Sequence, residues 1–236
     1  MKPLYKRILL KLSGEGLAGA GKSGIDAEIV IRLAREIAEI RNSGVDVCLV
    51  IGGGNFFRGA KGIGDFTDRS VADQIGMMAT VMNALVLKSA LNKTGCAATV
   101  YSGLNVPQAC ELYSFRKAMQ SLENKEIVIF AGGTGSPYFT TDTGAVLRAA
   151  EMHCDVVMKA TQVDGVYDSD PRVNPNAVRF DEISYDEAVA KHLNVMDMTA
   201  ITMARETKMP IMIFAQAQEN ALLKAVCNQV KHTIIK

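Results

Sequence analysis

Three times along this chain an apolar, strand-length run empties into glycines. Arg7 to Leu12 leads into Ser13-Gly14-Glu15-Gly16, Val45 to Ile51 into Gly52-Gly53-Gly54-Asn55, and Glu126 to Ala131 into Gly132-Gly133-Thr134-Gly135. Short continuous apolar runs read as strands buried on both faces, the habit of a parallel sheet covered by helices. Ligands of such sheets collect at the carboxyl ends of the strands. Glycine there lets backbone N–H groups approach an anion with no Cβ in the way, and a following helix N-terminus adds partial positive charge. Any one cluster could equally be a tight turn. Three at matching strand ends point to a polyphosphate site.

The segments between them fit helices. Asp26 is a good N-cap, after which Ile29, Leu33, Ile37 and Ile40 recur at helical spacing until Asn42-Ser43-Gly44. Asp68 to Lys93 is helical, and Ile75 to Leu87 is apolar on nearly every side, which marks a core or subunit-interface helix. Further on, the pattern predicts a strand over Cys96 to Tyr101, a helix over Ser114 to Leu122, a helix over Thr141 to Cys154 and a strand over Asp155 to Lys159. Thr161 to Glu182, rich in Asp, Pro and Asn, reads as an ordered loop with room for a small hairpin. Helices Tyr185 to His192 and Met198 to Lys208, a strand Ile211 to Phe214, a helix near Gln218 to Val230 and an edge strand Thr233 to Ile235 complete the chain. No repeat or linker interrupts it, so residues 1–236 are expected to form a single three-layer α/β/α sandwich with an open, mainly parallel sheet.

Composition excludes several functions. The 236 residues carry 26 Lys+Arg against 25 Asp+Glu, a net charge of +1, so the counterion-release contribution to nucleic-acid affinity is missing. Five widely spaced cysteines without a C-x-x-C pair argue against a disulfide framework or a zinc site. Three scattered histidines, His153, His192 and His232, support neither a metal site nor a Ser-His-Asp triad, and read as surface or helix-end residues. The first ten residues lack a signal-peptide core, and no uninterrupted apolar run reaches the roughly 20 residues that span a bilayer. A reducing cytoplasm, with no membrane partner, is the expected location.

Two familiar patterns overlap the first glycine loop. Gly16 to Ser23, GLAGAGKS, satisfies G-x-x-x-x-G-K-[ST], but Gly24 and the cap Asp26 postpone the helix that a P-loop Lys-Ser opens directly. No later strand ends in the aspartate that would hold the metal. GEGLAG and GAGKSG both match G-x-G-x-x-G, yet the second strand ends in glycine where an acidic ribose ligand belongs. A P-loop is therefore not expected.

Phosphoryl transfer needs cations around the γ-phosphoryl oxygens and carboxylates that orient them. Lys11, between leucines in a buried strand, is costly without an anionic partner and is the first candidate, unless it snorkels at the strand end. Arg58 can fork onto phosphate oxygens. Asp142 opens a helix just after Thr140-Thr141, where capping and ligand binding are compatible roles. Asp73, one turn before the apolar helix core, could accept hydrogen bonds from ribose hydroxyls, or simply favour a helix N-terminus.

KLSGE (Lys11 to Glu15), IGGGNFFRG (Ile51 to Gly59), Asp73 with MMATVMNAL (Met77 to Leu85), GGTGSPYFTTDTGA (Gly132 to Ala145), KATQVDGVYDSDP (Lys159 to Pro171) and VMDMTAITMA (Val195 to Ala204) together resemble the bacterial UMP kinase family of the amino acid kinase superfamily. The resemblance spans nearly the whole chain. It implies an α/β/α fold without a P-loop and transfer of the ATP γ-phosphoryl to UMP, giving UDP and ADP for pyrimidine nucleotide synthesis, with Mg²⁺ accompanying ATP. It assigns Lys11, Leu12, Ser13, Gly14, Gly54 and Arg58 to the ATP phosphates, and Thr161, Tyr167 and Asp170 to the ATP base and ribose. Gly53, Asp73 and the stretch Thr134, Gly135, Ser136, Pro137, Tyr138, Phe139, Thr140, Thr141 fall to UMP. Asp142 organises the cations around the moving group, and Asp197 matches an aspartate near the reaction centre; no protein-held metal is implied. A homohexamer of dimers, with the apolar helix as dimer face, and control by GTP (activator) and UTP (inhibitor) are further implications. At the positions expected to meet GTP the chain carries Lys88, Asn92, neutral Thr99 and acidic Glu126, so no strongly basic effector pocket is evident. Charge neutralisation by Lys159 is an inference from its type and place. Within the same fold a carboxylate or carbamate kinase is the rival, and outside enzymes a nucleotide sensor.

Overall fold

The computed structural model describes residues 2–21, 23–57, 67–191, 193, 195–216 and 220–236. Among the sequence-assigned residues, Lys22, Arg58 and His192 lie outside these.

Strand β1 (Arg7–Leu12) pairs in parallel with β2 (Asp46–Ile51) on one side and β6 (Val156–Thr161) on the other. Beyond β2 come β5 (Ile127–Ala131), β3 (Ala98–Ser102) and the two-residue β4 (Glu111–Leu112), all parallel. Beyond β6 come β10 (Ile211–Ala215), β11 (His232–Ile235) and β9 (Glu182–Ile183); the β10–β11 pair is antiparallel. Among the described residues the sheet thus has nine strands, in the order β4-β3-β5-β2-β1-β6-β10-β11-β9. The chain builds outward in one direction from β1 through β2 and in the other through β6, so the carboxyl end of β1 is a topological switch point, where a crevice opens.

Alternation along β1 supplies both layers. Ile8, Leu10 and Leu12 point into a core shared with α1 (Ala27–Asn42), α2 (Arg69–Lys93) and α7 (Ala221–Val226), whereas Leu9 joins a second core with α3 (Phe115–Glu123), α4 (Thr141–Glu151), α5 (Tyr185–Ala190) and α6 (Met198–Thr207). Lys11 shares the face of Leu9, toward α4, and in the β1–β6 register it stands beside Lys159. Asp26 caps α1 as expected, accepting from Glu28 N at 2.9 Å and Ile29 N at 3.2 Å.

Several boundaries differ from the sequence reading. Helix α4 stops at Glu151 rather than Cys154, because His153 turns left-handed (φ 54°), and α7 stops at Val226 because Asn228 does the same (φ 56°). Helix α5 likewise ends at Ala190. The expected edge strand β11 is not an edge: β9, too short to show a pattern, covers it. The acidic loop does contain a hairpin, β7 (Val166–Tyr167) against β8 (Arg179–Phe180). Helix α2, at 25 residues, is long and apolar enough by composition to cross a bilayer, although charged residues interrupt the run. Its inner residues, from Ala72 to Leu91, are instead buried on the sheet and α1. All five cysteines are free thiols.

Candidate active site

At the crevice, Lys11 and Lys159 reach over the sheet edge to one carboxylate. The Lys11 Nζ lies 2.8 Å from Asp142 Oδ1, and the Lys159 Nζ lies 2.7 Å from Oδ2. Lys159 also donates to Val195 O at 2.5 Å. The Lys11 contact is an ion pair without hydrogen-bond alignment, which leaves the buried Oδ1 with no hydrogen bond among the described residues. Side-by-side lysines on adjacent strands repel, and only a shared anion makes their burial tolerable. Burial alone would raise the pKa of Asp142, but the two ammonium groups outweigh it and hold the carboxyl below its usual value. Lys159 is pushed below the ordinary lysine value, chiefly by burial, with Asp142 working in the other direction and Lys11 adding to the depression.

The N-terminus of α4 delivers Asp142. Thr140 is the cap, its hydroxyl accepting from Asp142 N at 3.0 Å and Thr143 N at 3.4 Å. Asp197 caps α6 through Ala200 N at 3.0 Å, and accepts from the hydroxyls of Thr140 and Thr143, the latter at 2.9 Å. Asp197 therefore meets the lysine cluster through two threonines. It is placed beside the site but spent on hydroxyls.

Two cavities border this region, one reaching Thr141 beside Asp142 and the other reaching Lys159. One, of about 250 Å³, is lined by Gly53, Gly54, Asp73, Gly133, Phe139 and Thr141 among others. Asp73 Oδ2 accepts from Tyr138 N at 2.8 Å, and Arg69, one turn earlier, lies 3.5 Å from the same oxygen and 4.7 Å above the Tyr138 ring. Thr134 and Ser136 bond each other in a local turn. The second cavity, of about 500 Å³, is lined by Lys159, Thr161, Tyr167, Asp170, Arg172 and Lys191 among others. There Asp170 is held by Arg172, through Nη2 at 2.8 Å and Nε at 3.0 Å, and its pKa is lowered to about 2 by those bonds. Tyr167 donates to Asp164 at 2.6 Å, which raises the phenol pKa.

The structure thus gathers Lys11, Asp142, Lys159 and Asp197 at one point, Gly53, Asp73, Phe139 and Thr141 on one side, and Thr161, Tyr167 and Asp170 on the other. Gly54, assigned to the donor, lines the first cavity. The Leu12 side chain is buried in the α1 layer, so only its main chain can serve a ligand. Sequence reasoning missed Asn55, Thr80 and Asn83, which are buried and tie the glycine loops to α2. For Thr80 and Asn83 the signal was present as polar residues inside an apolar helix; Asn55, in the loop after β2, carried none. Among the described residues no group of three His, Cys, Asp or Glu side chains could hold a metal.

The sequence profile of the amino acid kinase family matches residues 6–215. The chain is 48% identical to the uridylate kinase of Paramagnetospirillum magneticum over 231 residues, covering 98% of this chain and 96% of that protein. Its structure superposes on the UMP kinase of Ureaplasma parvum with a TM-score of 0.93 at 37% identity, covering 98% of both chains. The UMP kinase of Bacillus anthracis gives 0.92 at 37% identity, covering 98% of this chain and 96% of that one.

Proposed function

The chain belongs to the amino acid kinase family, and from that premise we propose how its residues divide the work of phosphorylating UMP. The enzyme transfers the γ-phosphoryl group of ATP to UMP, giving UDP and ADP. The observation that carries the assignment of roles is the pair of lysines, Lys11 buried and Lys159 largely so, sharing one carboxylate at the switch point, Lys11 at 2.8 Å and Lys159 at 2.7 Å.

Lys11 has N–H groups left over after its ion pair with Asp142, and these take the oxygens of the moving phosphoryl group. Lys159, bordering the larger cavity, shares that charge. Asp142 keeps both ammonium groups in place; Asp197 fixes the α4 N-terminus through Thr140 and Thr143. Arg58, read from the sequence, adds a fork onto the donor phosphates. Gly14 and its neighbours Leu12 and Ser13 bring main-chain amides to the ATP phosphates, and Thr161, Tyr167 and Asp170 border the space for its nucleoside. Gly53, Asp73 and Thr134 to Thr141 receive UMP, with Asp73 set to meet the ribose. A single domain therefore presents UMP mainly to its N-terminal part and ATP mainly to its C-terminal part.

The UMP phosphate is ionised at neutral pH, so its oxygen attacks the γ-phosphorus in line without a general base. The donor set suits a Mg²⁺ ion that arrives on the ATP phosphates, since Mg²⁺ commonly leans on substrate phosphates and waters rather than on a protein cage. We further assign the enzyme to the cytoplasm, supported by its five free thiols, and to a hexamer of dimers. UTP inhibition is retained as a proposal. GTP activation is proposed to be weak: Thr99 donates to Glu126 at 2.5 Å, which closes that surface as a neutral-acidic pair.

An acceptor screen reading ADP release tests the assignment. UMP should exceed CMP, dUMP and acetylglutamate by at least about ten-fold in kcat/KM. Preference for acetylglutamate, or DNA retention without turnover, would overturn it.

A further inference from the structure

The roles above use none of the polar side chains buried along the inner face of α2. Asn83, fully buried, donates from Nδ2 to Gly52 O and to Asn55 Oδ1, both at 2.7 Å, and accepts from Asn55 Nδ2 at 3.0 Å. Asn55, also buried, donates in addition to Gly24 O at 2.8 Å, and Gly24 N returns a bond to Asn55 O at 3.0 Å. Gly14 is pressed on the same acceptors: a Cβ there would stand 2.5 Å from Gly52 O and 2.7 Å from Asn55 Oδ1. One turn earlier, the buried Thr80 hydroxyl accepts from Gly132 N at 2.7 Å and donates to Met77 O at 2.7 Å. Gly53 lies flat on the same stripe, where a Cβ would meet Gly76 O at 2.7 Å. Gly76, Thr80 and Asn83, spaced by four and three residues, form one helix face, and that face holds the second and third glycine loops directly and the first through Gly52 and Asn55.

A carboxamide and a hydroxyl in a dry helix face cost free energy unless satisfied, and leucine or valine would pack the sheet without that cost. What these bonds add is a fixed position for the loops. We propose that Asn83 and Thr80 are positioning residues for the two nucleotides. Asn83 sets the donor-phosphate loop at Gly14 through Gly52 and Asn55, and Thr80 sets the acceptor loop that begins at Gly132. Asn83 borders neither nucleotide cavity; Thr80 borders the smaller one, but its hydroxyl is spent on Met77 O and Gly132 N, so it acts there through the loop it holds. The proposal rests on the reading of these loops as phosphate-binding, and extends it to the helix beneath them.

Steady-state kinetics with ATP and UMP varied separately, run on Asn83→Ala and Thr80→Val beside thermal melts, provide the test. Asn83→Ala should raise the KM for ATP about ten-fold and lower kcat, with the KM for UMP changed by no more than about three-fold. Thr80→Val, which keeps the side-chain shape, should show the opposite split: a KM for UMP raised about five-fold and a KM for ATP within about two-fold. Equal changes in both KM values, or a loss confined to melting temperature, overturn the proposal. Should Asn83→Ala not fold, Thr80→Val decides alone by the same criterion. Normal turnover of UMP by the unmutated enzyme without a split in the variants sinks only this inference; no turnover of UMP sinks the functional reading and this inference with it.

Discussion

Lys11 and Lys159 occupy equivalent places on neighbouring strands, and each is paired with Asp142. Because the pKa of Lys159 is depressed from the ordinary 10.5, its proton leaves the free enzyme earlier than a surface lysine would lose it. The alkaline limb of kcat/KM should therefore begin below that value, while the limb of kcat, reporting the phosphate-bound state, moves upward. Lys159→Arg should carry the kcat/KM limb beyond the assay range at reduced maximal activity; an unchanged limb rejects the role. Asp142 has the opposite sign for stability. Its folded pKa is lowered, so it stabilises the fold above its unfolded value near 3.8 and loses that contribution as pH falls through the folded value. Asp142→Asn should flatten this acid limb in a melt-versus-pH series and, by leaving two ammonium groups unpaired, destabilise the protein at neutral pH by about 3–5 kcal/mol. Lys11→Ala should lower kcat by about 10²–10³, the scale of losing one preorganised donor, whereas Lys22→Ala should do little. The reverse ranking would return GLAGAGKS to consideration.

At the scale of elements, the site is made where strands stop and helices start, and this much is legible in the sequence. The β1, β2 and β5 runs, their glycines and the cap at Asp26 are local signals, because burial on both faces and helix capping write themselves into neighbouring residues. The sharing of Asp142 by Lys11 and Lys159 is not local, since it depends on β6 pairing beside β1, a register that no spacing of Lys11 and Lys159 in sequence reveals. The two-residue strands β4 and β9 are too short to carry a period, and the stops of α4 and α7 depend on left-handed residues that are not glycine. The loop-to-loop contact at Gly14 leads to a further expectation. A Cβ 2.5 Å from Gly52 O forces backbone against backbone, so Gly14→Ala should cost about 1–3 kcal/mol in denaturant unfolding and raise the KM for ATP. Unchanged stability together with unchanged ATP affinity would show that the first two loops are not packed as described.

On the scale of the whole molecule, α2 has two jobs on opposite faces. Inward, Gly76, Thr80 and Asn83 seat the glycine loops; outward, Val71, Ile75, Met78 and Met82 run along one face at 40–45% exposure each. Four large apolar side chains in one stripe on a helix that also carries Asp73 are more than the scattered exposure expected of a monomer surface. Two copies packing this stripe against itself about a two-fold axis would hide it without touching the loops on the other side. Met78→Glu places a charge at the middle of the stripe and leaves the buried face unaltered. Sedimentation at micromolar concentration should show the unmutated chain as an oligomer and the variant shifted to smaller species, with the far-UV spectrum preserved. Because the same helix fixes Asp73 and the loop anchors, the released subunits should also bind UMP less tightly, which titration of UMP into the variant would read. An unmutated chain that sediments as a monomer, or a variant that assembles as before, would remove α2 from the interface and leave its apolar stripe without a role.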